Sequence, residues 1–329
     1  MKIFITGATG YIGNQLALTL ADEGYPVHIL VRNASSPNIP KHKNITAFIG
    51  DVTDPQSIKA AINGCTQVYH TAAVVKMFAR DPSVFYKVNV EGTRNLLEAA
   101  LESGVKKFVY TSTCAVIGST VSKPKTEKDA RAESFVSDYD FTKFLGEILV
   151  KEYANKGLFT VIASVSKVYG PGIETHPVSV NTVISNFLKG KITFIPKPGS
   201  IVSNYCYIND IVAGHILAMN NGQSGEKYIL SGDNLSFIDF FGEVRKISGA
   251  RTKIFEAPKI LVKTWALFQW VTFLLTRKEP YVTGSAIHHI YTNKIFSNEK
   301  ARQNLGYQTT PIKEALTQTI QFLNSRQHA

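Results

Sequence analysis

Residues 2–13 read Lys2-Ile3-Phe4-Ile5-Thr6-Gly7-Ala8-Thr9-Gly10-Tyr11-Ile12-Gly13. A short apolar strand runs into a glycine turn, and a helical pattern starts at once. Gly7 permits a sharp turn, Gly10 lets backbone approach a pyrophosphate, and Gly13 allows a helix to pack closely on the strand. The free N–H groups and dipole of a helix N-terminus favour an anion there. A glycine triplet alone is common; one wedged between a strand and a helix at the start of a chain points to a dinucleotide site.

Outward from this turn, β-branched runs alternate with helical patterns. Strands are expected at Lys2–Thr6, Val27–Val31, Ile45–Ile49, Gln67–His70, Phe108–Thr111 and Thr160–Val165. Helices are expected at Tyr11–Glu23, Pro55–Ile62, Val84–Ser103 and Asp138–Asn155. Such alternation predicts an α/β fold, a Rossmann-type doubly wound parallel sheet. After Val165 the rhythm gives way to Pro/Gly-rich sequence and then to helices near 179–189, 209–220, 238–248, 258–276 and 312–324. The expected division is residues 1–165 as the dinucleotide-binding domain, with a return segment near 200–220. Residues 166–329 then form a smaller, mainly helical substrate lobe over the sheet's C-terminal edge.

Composition narrows the function classes. The 329 residues are 44% hydrophobic and 19% charged, which excludes a disordered chain. The net charge of +11 suits anionic partners. It is spread along the chain with no stripe of interleaved basic and aromatic residues, so nucleic acid is not an expected partner. Cys65, Cys114 and Cys206 stand far apart, and no signal segment is read at the N-terminus, so a cytoplasmic protein with reduced thiols and no zinc site is expected.

Two further patterns carry chemistry. The second strand ends Val31-Arg32-Asn33, where NAD-selective folds place an acid against the ribose. Arg32 can meet a 2′-phosphate, which favours NADP(H) and leaves NAD(H) open. Asp51, after the third strand, is placed to accept from an adenine amino group or to cap a turn. Residues 138–147 read Asp138-Tyr139-Asp140-Phe141-Thr142-Lys143-Phe144-Leu145-Gly146-Glu147. Tyr139 and Lys143 are four apart and share a helix face. An ammonium beside a phenol favours the phenolate, which suits proton exchange with a carbonyl or alcohol oxygen.

With both motifs in place, the chain resembles the extended short-chain dehydrogenase/reductase family over nearly its whole length. Supporting stretches are His70-Thr71-Ala72-Ala73, Asn89-Val90-Glu91-Gly92-Thr93, Val109-Tyr110-Thr111-Ser112-Thr113, Val168-Tyr169-Gly170-Pro171-Gly172 and Tyr207-Ile208-Asn209-Asp210. The resemblance implies Tyr139, Lys143 and Thr113 as catalytic residues, with Ser112 as the fallback hydroxyl. It implies cofactor contacts by Gly7, Thr9, Gly10, Tyr11, Ile12, Gly13, Arg32, Asp51, Val52, Ala72, Ala73, Asn89, Thr111, Tyr139 and Lys143. Residues 73–82 and the runs Pro280–Thr283 and Phe296–Tyr307 look most like the dihydroflavonol-reductase-like and 3β-hydroxysteroid-dehydrogenase-like branch, whose substrates are mostly apolar. The family's two long helices also imply a homodimer. Val165 stands where the family usually has proline, and Val116-Ile117-Gly118 replaces its Val-Tyr-Gly, so the shape of the substrate pocket is not carried over.

The expected activity is reversible hydride transfer between NADP(H) and a carbonyl or secondary alcohol of a small, apolar molecule. One alternative is an NAD-dependent nucleotide-sugar epimerase or dehydratase, for which Arg131, Lys167, Lys189, Lys191 and Arg245 offer cations. The other is a non-catalytic, redox-sensing dinucleotide-binding protein. Residues 260–275 are apolar on nearly all sides and hold both tryptophans. Packing against other helices of the lobe is favoured there. Lining an apolar pocket comes next, and contact with a membrane surface or a subunit interface last, though Lys259, Lys263, Arg277 and Lys278 would suit acidic lipids. His288-His289 is read as a polar helix face. Glu127, Lys128 and Asp129 are read as a loop able to fold over substrate, and Phe135 and Phe141 as lining the same opening.

Overall fold

The computed structural model describes residues 1–120, 122–173 and 179–326. The first half runs β1 (Ile3–Thr6), α1 (Tyr11–Asp22), β2 (Val27–Val31), β3 (Ile45–Ile49), α2 (Pro55–Ile62), β4 (Gln67–His70), α3 (Ser83–Tyr86), α4 (Gly92–Glu102), β5 (Lys107–Thr113), α5 (Asp138–Asn155) and β6 (Thr160–Val165). The second half runs β7 (Lys167–Tyr169), α6 (Val180–Leu188), β8 (Thr193–Pro196), β9 (Val202–Tyr207), α7 (Ile208–Asn221), β10 (Lys227–Leu230), β11 (Asp233–Ser236), α8 (Phe237–Ser248), β12 (Ile254–Ala257), α9 (Lys259–Thr276), α10 (Gly284–Ile290), α11 (Glu299–Leu305) and α12 (Ile312–Ser325).

Seven strands form one parallel sheet in the order β10-β6-β5-β4-β1-β2-β3. The order reverses between β1 and β4, and the crevice above that point is where open α/β sheets hold ligands. All four residues of β1 and all six of β6 are buried, as strands covered on both faces must be. One face packs on α1 and α7, through Leu16, Leu20, Ile211 and Met219. The other packs on α2, α4 and α5, through Ile58, Ile62, Leu96, Leu97 and Leu149. Each fully buried Ile, Leu or Phe contributes about 1.5–3 kcal/mol.

The doubly wound sheet is as the alternation predicts, with four differences along the chain. The seventh strand, β10, comes from the later half of the chain and closes the edge beside β6. The expected helix 84–103 is interrupted by a π-helical turn over Lys87–Glu91, in which Asn89 is the buried residue. The later half is mainly helical but also holds a β11-β9-β7 sheet and a β12-β8 pair. Residues 260–275 do form a helix, yet Phe273 is the single buried residue of α9. The expectation that α9 packs into the lobe is overturned.

Candidate active site

The turn after β1 has the geometry the glycines demand. Gly7 has φ +79°, and a Cβ there would fall 2.6 Å from the Ala72 amide nitrogen. A Cβ on Gly13 would collide with the Gly7 carbonyl and the Thr71 hydroxyl. Gly10 is the N-cap of α1 and offers no side-chain acceptor, so the first-turn amides of Tyr11, Ile12 and Gly13 are left for an anion. Thr9 completes the turn, partly buried. A cradle that only glycine fits, facing an uncapped helix start at the switch point of the sheet, suits a dinucleotide pyrophosphate.

Around this cradle the other cofactor candidates fall into place unevenly. Ala72 and Ala73 follow β4 directly above the sheet edge. Arg32 lies exposed just beyond the end of β2. Asp51 accepts from both the amide and the hydroxyl of Thr53, at 2.8 Å each, and so serves as a turn cap. Val52 is buried against Gly92. The Tyr11 side chain turns away from the cradle: its hydroxyl donates to the Gly170 carbonyl at 2.6 Å, and its ring lies against Gly172. It thereby ties the first turn of α1 to the Tyr169–Gly172 stretch.

Tyr139, Lys143 and Glu147 ride on α5. Its start is fixed by Ser137, whose hydroxyl accepts from the Asp140 amide at 3.1 Å, with Asp138 and Asp140 in the first turn. Spacing of four brings the three side chains onto one face. Burial raises the Tyr139 phenol above its ordinary range, although the hydroxyl of Thr113, the last residue of β5, faces it and favours the ionised form; the lowering expected from Lys143 is overturned. The Lys143 ammonium is almost fully buried. It donates to the Thr111 carbonyl at 2.7 Å and sits 4.0 Å above the Tyr110 ring. Burial lowers it to about 7, against the opposing pull of Glu147. Thus the structure brings Tyr139, Thr113 and Lys143 to one sheet edge. It sends Ser112 elsewhere, to Glu147 at 2.5 Å. Thr111 is spoken for as well, its hydroxyl 2.8 Å from His215.

Beneath the site runs a buried chain of polar groups that sequence patterns do not reveal. Thr6 Oγ1 lies 2.7 Å from His70 Nδ1, and His70 Nε2 lies 2.9 Å from Thr93 Oγ1. Thr93 donates to the Asn89 carbonyl at 2.8 Å. Asn89 in turn donates to Thr142 at 3.0 Å and accepts from the Val74 amide at 2.8 Å. Burial pushes His70 down to about 3, so its ring is neutral. Asn89 therefore clamps the segment after Ala73 onto α5. Glu147 was also legible only as a helix residue. Its carboxylate is buried, pairs with Lys227 of β10 at 2.7 Å and accepts from Ser112.

Two other expectations are overturned. His288 and His289 point inward, 3.2 Å from Glu133 and 3.0 Å from the fully buried Asp140, and are no polar face. The 127–129 loop is pinned down. Glu127 accepts from the Ile229 amide at 2.7 Å, and Asp129 accepts from Thr126 at 2.7 Å. Phe135 packs at a tilt on Phe141 and Phe144 of α5, and Phe141 meets Tyr86 edge-on, forming one aromatic cluster. Of the five cations considered for a sugar diphosphate, Arg131 donates to the Ala115 carbonyl and Arg245 to that of Thr252. Lys167, lowered to about 8 by burial, donates to Ser203 at 2.7 Å. Lys189 and Lys191 are exposed. Among the described residues no group of three or more His, Cys, Asp or Glu side chains is placed to hold a metal ion.

Residues 3–231 match the model of the NAD dependent epimerase/dehydratase family. A putative dihydroflavonol 4-reductase of Synechocystis sp. is 28% identical, covering 98% of this chain and 94% of that protein. A 3-beta-hydroxysteroid dehydrogenase of Mycolicibacterium neoaurum is 28% identical over 93% and 87%. Among solved structures, gox2253 aligns with a TM-score of 0.83 and 31% identity, covering 100% and 98%. The UDP-glucose 4-epimerase of Thermotoga maritima aligns at 0.82 with 23% identity, over 99% and 100%, a likeness of fold.

Proposed function

The chain belongs to the NAD-dependent epimerase/dehydratase family, and from that premise we propose that it is an NADP(H)-dependent oxidoreductase acting on the carbonyl or secondary alcohol of an apolar substrate. The observation that carries this reading is the meeting of Tyr139, Thr113 and Lys143 at the same C-terminal edge of the sheet that holds the glycine cradle. A bound nicotinamide supplies or accepts the hydride. In reduction, Tyr139 gives its phenol proton to the substrate oxygen, and a phenol held above its ordinary pKa keeps that proton until transfer. Thr113 orients the same oxygen through its hydroxyl. Lys143 places positive charge beneath the site and is available to a ribose hydroxyl. In oxidation the proton returns along the same path.

Arg32 in place of an acid after β2 supports NADP(H). The sugar-nucleotide alternative is less well served, because three of its five candidate cations are already bonded within the protein. The relatives named as a dihydroflavonol reductase and a hydroxysteroid dehydrogenase support a ring-shaped, apolar substrate. A homodimer and a cytoplasmic location belong to the same reading, the latter supported by three buried, unpaired thiols. The test is a screen of apolar ketones with NADPH, followed by Tyr139→Phe on any substrate found. The variant should bind nucleotide normally and lose turnover by at least about a hundredfold. Near-normal rates would remove Tyr139 from the mechanism.

A further inference from the structure

Helix α9 presents to solvent the face that a surface helix normally buries. Its inner side is narrow. Phe273 is buried, and Phe273 and Trp270 pack on Phe78 at ring distances of 5.2 and 5.8 Å. The Gln269 side chain receives the amides of Tyr281 and Val282, folding the next turn back on the helix. At 3.6 residues per turn the arc opposite Phe273 carries Ile260, Leu261, Leu267, Phe268, Leu274 and Leu275. These six side chains are 55% to 81% exposed. From Lys259 to Lys278 the chain holds no Asp or Glu.

We propose that α9 is an interfacial helix that docks the protein on an anionic phospholipid surface. Two tryptophans, Trp265 and Trp270, lie in the same helix, and Lys259 and Lys263 at one end and Arg277 and Lys278 at the other bracket the apolar arc. This is the composition of a helix that lies in the headgroup boundary. Among the described residues no helix is long and apolar enough to cross a membrane, so α9 rests in the plane. A second copy of the chain is a poorer occupant. Antiparallel pairing of two α9 helices sets Lys259 and Lys263 of one copy against Arg277 and Lys278 of the other, and parallel pairing sets each cation against itself. Acidic headgroups complement the same four charges, and the whole chain carries +11.

The docked helix is coupled to the candidate site. Phe78 beneath it belongs to the segment that follows Ala73. Lys76 of that segment pairs with Glu279 at 3.2 Å, and Ser285 donates to the Met77 carbonyl at 3.2 Å. Docking therefore brings the bilayer close to the segment bordering the site. Passage of an apolar substrate from the bilayer rests on the function proposed above; the docking itself does not.

Both tryptophans of the chain lie in α9, so tryptophan emission, excited selectively over the tyrosines, reports on this helix alone. The full-length protein is mixed with vesicles of phosphatidylcholine, with and without phosphatidylglycerol, and followed by flotation and by quenching with brominated lipids. Binding to the anionic vesicles should be tenfold or more stronger, since each basic residue near the surface is worth about fivefold. Emission should shift to the blue and be quenched. The variant Leu267→Glu/Leu275→Glu changes two exposed positions and should lose flotation while keeping the native circular dichroism. The quenching of wild type needs no variant and stands if that one misfolds. No flotation with either vesicle overturns the proposal. So does flotation with unquenched tryptophan, or flotation the folded variant retains. A concentration-dependent dimer that the variant dissolves, without vesicle binding, would assign the face to a second copy.

Discussion

Replacing Glu147 with Gln should reveal how far the candidate site depends on a single buried ion pair. The Glu147 and Lys227 side chains are 6% and 12% exposed and lie 2.7 Å apart. The amide keeps the shape and can still accept from Ser112, but it strands the Lys227 ammonium. Removing one partner of a buried pair typically costs about 3–5 kcal/mol, because the remaining charge stays out of water. Urea unfolding of the purified variant measures this. Adding Lys227→Met to the same chain removes the stranded charge and should restore most of the loss. A second effect has a definite sign. Glu147 holds Lys143 up against burial. Without it Lys143 falls below about 7, its charged fraction at neutral pH drops, and the alkaline limb of the pH–rate profile moves to lower pH. A cost under about 1 kcal/mol, with an unmoved profile, would show that the pair neither stabilises the fold nor tunes the site.

Gly7→Ala places a side chain at φ +79° and against the Ala72 backbone. It should cost about 2 kcal/mol or more and abolish dinucleotide binding, read by thermal melts and nucleotide titration; an unchanged affinity would contradict the cradle. His215 is pushed down to about 4 by burial and His70 to about 3, from an ordinary value of 6.5. Both rings are neutral when folded and protonate first when unfolded. Their contribution is therefore complete above pH 6.5 and is lost as pH falls toward 4 for His215 and toward 3 for His70, at up to about 1.4 kcal/mol per pH unit for each ring. His215→Gln should flatten the fall in urea midpoint over that window. An equal slope in the variant would mean that His215 titrates normally when folded.

The sheet was legible because its strands alternate with helices that carry their own boundary signals, such as the glycine turn before α1 and Ser137 before α5. β10 escaped because Lys227–Leu230 is only four residues long, and its place beside β6 is fixed only by tertiary packing. The Tyr139/Lys143 pair was legible because its partners sit four apart on one helix. The His70 network was not, because Thr6 lies 64 residues from His70 and Thr93 lies 23. Glu147 continues the same helix spacing, but its meaning depends on Lys227, 80 residues away. Helix α9 misled for a different reason. Apolar sequence on all sides ordinarily means burial, and among the described residues only Phe78 and a few neighbours cover it.

The most direct measurement is of the nucleotide itself. Protein as purified is denatured, any released nucleotide is identified, and nucleotide-free protein is titrated with NADPH and NADH. Exchangeable binding that favours NADPH, weakened by Arg32→Glu, is the expected result. Tight, stoichiometric NAD, indifferent to Arg32, would contradict the oxidoreductase reading and turn the assignment toward internal-redox chemistry of the epimerase kind.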